Sequence, residues 1–150
     1  MNGDGNGWVV CSQGHRHWGL HGGAGLLLRQ RSATGEVRVL MQHRAPWTNN
    51  GDTWGLPGGA RDSHETAEQA ALREAAEEAG VPASSVVVTG ELPDDHGGWA
   101  YVTVIADLVG PVTIVLNAES VDLRWVREAE VGALDLHPGF AVTWPRLMSS

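Results

Sequence analysis

Three glutamates lie close together in one short segment of this sequence. Glu74, Glu77 and Glu78 stand at spacings i, i+3 and i+4 within EAAEEAG, and on a helix these spacings place three carboxylates on one face within about one turn. Carboxylates this close repel one another unless a cation neutralises them, and oxygen ligands favour Mg²⁺, Mn²⁺ or Ca²⁺ over zinc. The segment therefore predicts a magnesium site that binds a phosphate-bearing ligand, although most clustered glutamates on short helices are only a solvated face.

The residues around these glutamates carry the signals of a helix from Thr66 to Ala79. Thr66 and Gln69 have the spacing of a capping box, and Gly80 stands where a left-handed residue ends a helix. Toward the N-terminus the glutamate face continues in small side chains, which are expected to leave open space for a ligand: Ala67, Ala70 and Ala71. Before the helix, the glycines of LPGG (56–59) would let a ligand approach the main chain.

The remaining chain is predicted to form one α+β domain of residues 1–150, with a flexible start at residues 1–7. A weaker second helix is expected from Pro138 to Met148. Six β-branched or apolar runs are bounded by turn residues and are predicted to be strands: Trp8 to Cys11, Ala24 to Arg29, Val37 to His43, Val86 to Leu92, Ala100 to Leu108 and Val121 to Val126.

Composition excludes several classes of function. The 150 residues carry a net charge of −8, which argues against binding a nucleic-acid polymer, because that binding draws on Lys and Arg. The apolar runs are far shorter than the roughly 20 residues that span a bilayer, and the start lacks the features of a secretory signal. We therefore expect a cytoplasmic protein with no membrane partner; a homodimer remains open.

The glutamates belong to a longer pattern, GARDSHETAEQAALREAAEEAGV, from Gly59 to Val81. It matches the Nudix box, with all seven fixed positions filled by Gly59, Glu65, Arg73, Glu74, Glu77, Glu78 and Gly80. At average residue frequencies such a match has a chance probability on the order of 10⁻⁸ to 10⁻⁹. The chain thus resembles the Nudix hydrolase family over roughly residues 20 to 145. QHRAPW, WGLPGGARDSHET and LDLHPGF are similar to its MutT-type, 8-oxo-dGTP diphosphatase-like members from actinobacteria.

This resemblance implies a Nudix fold, an α/β/α sandwich with a mixed β-sheet, and a divalent cation, Mg²⁺ or alternatively Mn²⁺. It implies that Glu77 and Glu78 are metal ligands, together with the carbonyl oxygen of Gly58. Glu74 would bind a metal or help to deprotonate water. One departure, Ala75 at a position where the family more often has a larger apolar residue, concerns packing and not chemistry.

Other roles carry over by the same resemblance. Arg73 and Glu65 look like the family's supporting pair, which orients the ligand carboxylates. An acidic residue from a later loop often acts as a ligand or general base, and Glu119 is the first candidate, while an alternative loop contains Glu91, Asp94 and Asp95. Substrate binding is expected from Arg44, Gly59 and His137.

The reaction implied is hydrolysis of a nucleoside-diphosphate linkage by metal-activated water. The leading substrate is a nucleoside triphosphate, normal or oxidised at its base, cleaved to monophosphate and pyrophosphate. An ADP-ribose or dinucleotide pyrophosphatase is the alternative, since the box serves both. A non-catalytic nucleotide-sensing module is disfavoured because this chain retains every glutamate of the box.

Recognition of the base is less clearly marked. The stretch LDLHPGFAVTW contains no Asn or Gln, which leaves His137 as its polar group for reading a base. Trp47 or Trp99 could stack on a base, although core packing is the more common role of tryptophan. His15, His17 and His21 are interpreted as surface groups near turns.

Overall fold

The structure is a computed structural model that describes residues 4–47, 51–116 and 120–149, without the side chains of residues 120 and 121. Its strands are β1 (Trp8–Val10), β2 (Arg16–Trp18), β3 (Gly23–Arg31), β4 (Val37–Arg44), β5 (Trp54–Gly55), β6 (Gly58–Ala60), β7 (Val86–Asp95), β8 (Ala100–Leu108) and β9 (Ser120–Arg127). Its α-helices are α1 (Ala67–Ala79) and α2 (Pro138–Ser149), and single 3-10 segments cover Ala83–Ser85 and Glu128–Ala133.

Strand β3 is the centre of a mixed seven-stranded sheet. The main order is β5-β4-β3-β8-β7, with β6 paired to β3 and β9 paired to β4. Strands β3 and β8 run parallel, from Gly23 opposite Tyr101 to Arg29 opposite Asp107, while β6 lies antiparallel to the first residues of β3. The loop before α1 is therefore fixed to the middle of the sheet.

The two faces of the sheet are covered by the two helices. In β3, Leu26 and Leu28 pack on the side of α1, whereas Leu27 packs on the side of α2 with Phe140 and Trp144. This alternation is the period-two pattern of a strand that is buried on both faces. The predicted α/β/α sandwich with a mixed sheet is confirmed.

The ends of α1 agree with the sequence signals. The Thr66 side chain accepts from the backbone N–H of Gln69, the Gln69 side chain accepts from the backbone N–H of Thr66, and Gly80 has φ of 73°. The expected open space beside the glutamates is wrong. Ala70 and Ala71 are fully buried against the sheet, because small side chains here let the helix approach β3 closely, and Ala75 packs in the same cluster.

The N-terminal residues form a separate two-stranded sheet of β1 and β2. Strand β2 was not expected, nor were the two short strands β5 and β6. The flexible start predicted at residues 1–7 remains a prediction. Asp4 accepts from the backbone N–H of Ser63 at 2.7 Å, and the Gly5 N–H donates to Asp62 at 2.9 Å. No helix in the described part of the chain is long and apolar enough to cross a membrane.

Candidate active site

Arg73 on α1 connects the helix to the loop that precedes it. Its Nε and Nη2 donate to the two carboxylate oxygens of Glu65 at 2.7 and 2.9 Å, and Nη2 also donates to the carbonyl of Ala60 at 3.0 Å. Nη1 donates to Glu74 at 3.0 Å and to Glu77 at 3.4 Å. One guanidinium thus orients two of the three glutamates, which only the planar, five-donor group of arginine can do.

The Glu65 carboxylate is buried and fully engaged. Besides Arg73, it accepts from the backbone N–H of Asp62 at 3.0 Å. The hydrogen bonds from Arg73 hold the pKa of Glu65 below its ordinary value, against the opposing effect of burial. The pair therefore stays ionised at neutral pH and rigidly joins the start of the box to its helix.

Glu74 and Glu78 form the buried part of the carboxylate group. The Glu78 side chain accepts from the Gly58 N–H at 3.0 Å, and the Glu74 side chain lies beside it. Burial raises the pKa of Glu74 above its ordinary value. Glu77 is more open, with 59% of its side chain exposed. Two buried carboxylates in contact need a proton or a cation between them.

The glycines of the loop make room for these groups. A Cβ on Gly59 would lie 2.7 Å from a Glu74 oxygen, and one on Gly58 would lie 2.5 Å from the carbonyl of Ala24. Gly58 and Gly25 also lie close to the Tyr101 hydroxyl, which would be 2.8 and 2.0 Å from their respective Cβ positions. Burial, with Glu78 and Glu74 nearby, raises the pKa of Tyr101, so the phenol stays neutral.

The donor set fits a divalent cation. Glu74 and Glu78 place hard oxygen atoms side by side against Gly58 and Gly59, where an added Cβ would lie within 3 Å of the Ala24 carbonyl or of Glu74, and the exposed Glu77 lies on the same helix. Hard carboxylate oxygens suit Mg²⁺ or Mn²⁺, which also bind phosphate. A second group of potential ligands in the described chain, Asp62, His64 and Glu65, is already engaged with Arg73 through Glu65.

These carboxylates line one wall of a cleft of about 1060 Å³. This volume is slightly above the range of about 300 to 1,000 Å³ that is usual for small-molecule sites. Arg44, Gly59 and His137, the residues expected to bind substrate, all line the same cleft, as do Gly58 and the three glutamates. Arg73 and Glu65 do not line the cleft, but Arg73 contacts Glu74 and Glu77, which do.

The candidates for a further acidic group have different positions. Glu119 lies outside the described residues. Of the alternatives, Asp94 lines the cleft, where it contacts His96 at 3.0 Å and Arg146 at 3.7 Å. Glu91 and Asp95 are exposed and are absent from its lining. The general base thus remains a prediction.

His137 has a defined orientation at the start of α2. Its Nδ1 accepts from the Gly139 N–H at 3.0 Å, so Nε2 carries the hydrogen of the neutral ring. Burial and the nearby Arg44 lower the pKa of His137. The role of His137 in reading a base stays a prediction.

Several cleft residues gave no signal in the sequence. Tyr101 lies on β8 without a motif around it, and Gln42 begins the QHRAPW segment on β4 but was not proposed as a site residue; both line the cleft. Trp99 lines it as well, whereas Trp47 is 75% exposed and lies outside it. The β1–β2 hairpin also contributes, through Trp8 and Trp18. The pairing of β8 with β3 brings Tyr101 opposite Gly23 and so into the cleft.

Comparison with known proteins decides the family. The family model of the NUDIX domain matches residues 19–147. The chain belongs to the Nudix family. A relative from Mycobacterium tuberculosis, named "Putative 8-oxo-dGTP diphosphatase 3", is 52% identical over the whole chain, which spans 72% of that protein. The crystal structure of a Nudix hydrolase from M. smegmatis, RenU, superposes with a TM-score of 0.91 at 52% identity, covering 97% of this chain and 94% of that one.

A third relative extends the comparison to a larger protein. The nucleoside triphosphate pyrophosphatase/Nudix hydrolase fusion protein of Bifidobacterium longum is 42% identical over 95% of this chain, which spans 30% of that protein. The Nudix fold and the named relatives show that this chain is a Nudix pyrophosphohydrolase of MutT-like type. Nudix hydrolases generally need a divalent metal, which agrees with the carboxylates described above.

Replacing Glu65 by Gln should weaken the fold in a pH-dependent way. The lowered pKa means that the carboxylate stabilises the fold fully above its unfolded pKa near 4.3, and that this contribution disappears as the pH falls through the folded value. We expect Glu65→Gln to lower the free energy of unfolding by about 2 kcal/mol at pH 7. Urea denaturation at pH 7, 5, 4 and 3 should show wild type and variant converging in acid. The exposed Glu91→Gln is the control, and a pH-independent difference would contradict the role of charge.

Replacing Gly59 by Ala should impair catalysis more than stability. The new Cβ meets only the end of the Glu74 side chain, which can move aside at little cost to folding but then leaves its position in the site. We expect turnover to fall on the order of 100-fold, as for other small displacements of reacting groups. The melting temperature should change little. Gly90→Ala is the matched control, since its nearest neighbour would lie 3.9 Å away; unchanged turnover in Gly59→Ala would show that Glu74 is not needed in place.

Proposed function

We propose that this protein is a Mg²⁺-dependent hydrolase of nucleoside triphosphates, normal or oxidised at the base, which releases the monophosphate and pyrophosphate. The observation that carries the proposal is the buried pair of Glu74 and Glu78 beside Gly58 and Gly59 in a nucleotide-sized cleft. The named activity of the M. tuberculosis relative, together with 52% identity over the whole chain, supports the choice of substrate.

In this proposal the chain's own groups divide the work. Glu77, Glu78 and the Gly58 carbonyl would hold Mg²⁺, which when bound would neutralise the diphosphate and lower the pKa of a water molecule, so that a hydroxide-like nucleophile could attack phosphorus and displace pyrophosphate. Glu74 would either bind the metal as well or receive the proton of that water. Arg73 fixes the orientation of Glu74 and Glu77, and Arg44 in the cleft can neutralise phosphate oxygens.

An ADP-ribose or dinucleotide pyrophosphatase remains the second candidate, because the same cleft binds a diphosphate whichever group follows it. A turnover screen of the purified protein with Mg²⁺ would separate the two. Its substrates are canonical and oxidised deoxynucleoside triphosphates, ADP-ribose, NADH and diadenosine polyphosphates. The proposal expects the triphosphates to have the highest kcat/KM, and a higher value for ADP-ribose would replace it with the second candidate.

Glu78→Gln and Glu77→Gln should each reduce turnover by at least about 100-fold, equivalent to roughly 3 kcal/mol of transition-state stabilisation. Both changes keep the side-chain size but remove a ligand charge. Glu68→Gln, an exposed position on the same helix, is the control. Titration with Mg²⁺ should show weaker metal binding in both variants. Near-wild-type turnover of Glu78→Gln at saturating Mg²⁺ would remove the basis of the proposed metal site.

Calcium should bind the site but support poor turnover. Its larger radius and looser coordination do not hold the phosphates in one alignment. We expect Ca²⁺ to inhibit the Mg²⁺-activated enzyme competitively in a steady-state assay. An enzyme that is fully active with Ca²⁺ alone would count against the proposed chemistry.

Discrimination between oxidised and normal guanine should be modest. The imidazole of His137 does not carry the paired donor and acceptor that an amide presents in one plane. We expect kcat/KM for the two nucleotides to lie within about 100-fold, and His137→Ala to change base preference more than turnover of the poorest substrate. A preference of many thousandfold that His137→Ala leaves intact would instead implicate another polar group, of which Gln42 in the cleft is the first to replace.

A further inference from the structure

The β1–β2 hairpin, residues 8–18, forms part of the cleft although it precedes the residues that the NUDIX family model matches. The matched range begins at residue 19. Trp8, Arg16, His17 and Trp18 nevertheless line the same cleft as Glu74, Glu77 and Glu78. These residues lie outside the range that the family model matches, so the chemistry of the wall they form has to be derived from the residues themselves.

One side of the hairpin anchors it to the tip of the β7–β8 hairpin. The His17 ring stacks on Trp99 with centroids 4.1 Å apart and planes 7° apart, and it contacts His96. Trp99 donates through its indole N–H to the carbonyl of Gly19 at 3.0 Å, and the Ser12 N–H donates to Gly97 at 2.8 Å. These contacts give the hairpin a fixed position over the cleft.

The other side of the hairpin presents two tryptophans. Trp8 and Trp18 are directly paired across the two strands and meet edge to face at 5.2 Å. The Arg16 guanidinium lies 4.2 Å from the centre of the Trp8 ring. Trp8 and Trp18 both line the cleft and remain 44% and 45% exposed, although Arg16 covers one face of the Trp8 ring.

Exposed aromatic faces beside a phosphate site suit a nucleobase. Indole rings stack on the π-face of any base, and a neighbouring arginine can add cation–π and hydrogen-bonding contacts. The phosphates would lie at the carboxylates of α1, and the cleft is continuous from there to the hairpin. Its volume of about 1060 Å³ accommodates a whole nucleotide.

We propose that the β1–β2 hairpin is a base-binding element of the substrate cleft, in which Trp8 and Trp18 contact the nucleobase of the bound nucleotide. This inference deepens the proposed function and rests on it for the identity of the substrate as a nucleotide. Stacking does not depend on the donor and acceptor pattern of the base, so the hairpin contributes affinity for nucleotides in general and not a choice between two purines.

The test compares Trp18→Ala and Trp8→Ala with Trp47→Ala, whose parent residue is exposed but outside the cleft. Two probes are used: a non-hydrolysable dGTP analogue, measured by calorimetry, and inorganic tripolyphosphate, which has no base. We expect each hairpin variant to weaken analogue binding about tenfold, as the loss of a stacking contact does. Tripolyphosphate affinity should stay unchanged, KM should rise with little change in kcat, and Trp47→Ala should match wild type.

A second variant separates binding from folding of the hairpin. Trp18→Phe keeps an aromatic face at the same place and should restore most of the analogue affinity that Trp18→Ala loses. Equal weakening of analogue and tripolyphosphate, or wild-type affinity in both alanine variants, would overturn the inference. If the wild-type enzyme cleaves no nucleoside triphosphate, the proposed function fails, whereas a base-dependent loss of analogue binding in the variants would still support the hairpin as a base-binding element.

Discussion

The active site depends on the five contacts of the Arg73 guanidinium. Through Glu65 and the Ala60 carbonyl it fixes the loop before α1, and through Glu74 and Glu77 it fixes the carboxylates on the helix itself. Neither half is rigid alone, because a loop rich in glycine and a row of long acidic side chains have many conformations. The Arg73 guanidinium holds both the loop and the acidic side chains in one arrangement. The cost of desolvating this cation is offset by its charge-assisted hydrogen bonds to Glu65.

The packing of α1 explains why that arrangement is also strained electrostatically. Four alanines on the helix are buried, which brings its backbone close to β3 and carries Glu74 and Glu78 inward with it. Larger apolar residues would hold the helix farther from the sheet and leave the carboxylates in solvent. The protein thus keeps two acidic groups where their mutual repulsion is strong, and a bound cation relieves it.

Signals between neighbouring residues predicted most helices and strands well. They could not predict contacts between residues that are distant in sequence. The capping box at Thr66 and the left-handed Gly80 involve neighbours in sequence, so α1 was predicted within a residue of its ends. Strands β5 and β6 have two and three residues, too few for any periodicity. The stripe of alanines was misread as open space because small residues suit either a ligand or a closely packed sheet. Tyr101 and the hairpin enter the cleft through pairings between residues about 80 positions apart, which no local pattern contains.

The parallel pairing of β3 with β8 affects the order in which the parts of the site form during folding. Glu65, Arg73 and Glu78 find their partners within about 20 residues along the chain, and such short loops close early and at small entropic cost. Strand β8 joins β3 across nearly 80 residues, a slow event in chains with many distant contacts. A nascent or partly refolded chain can therefore have Glu74, Glu77 and Glu78 in position before the part of the cleft that contains Tyr101 and Trp99 has formed. In such a chain, cation binding would precede recognition of the substrate.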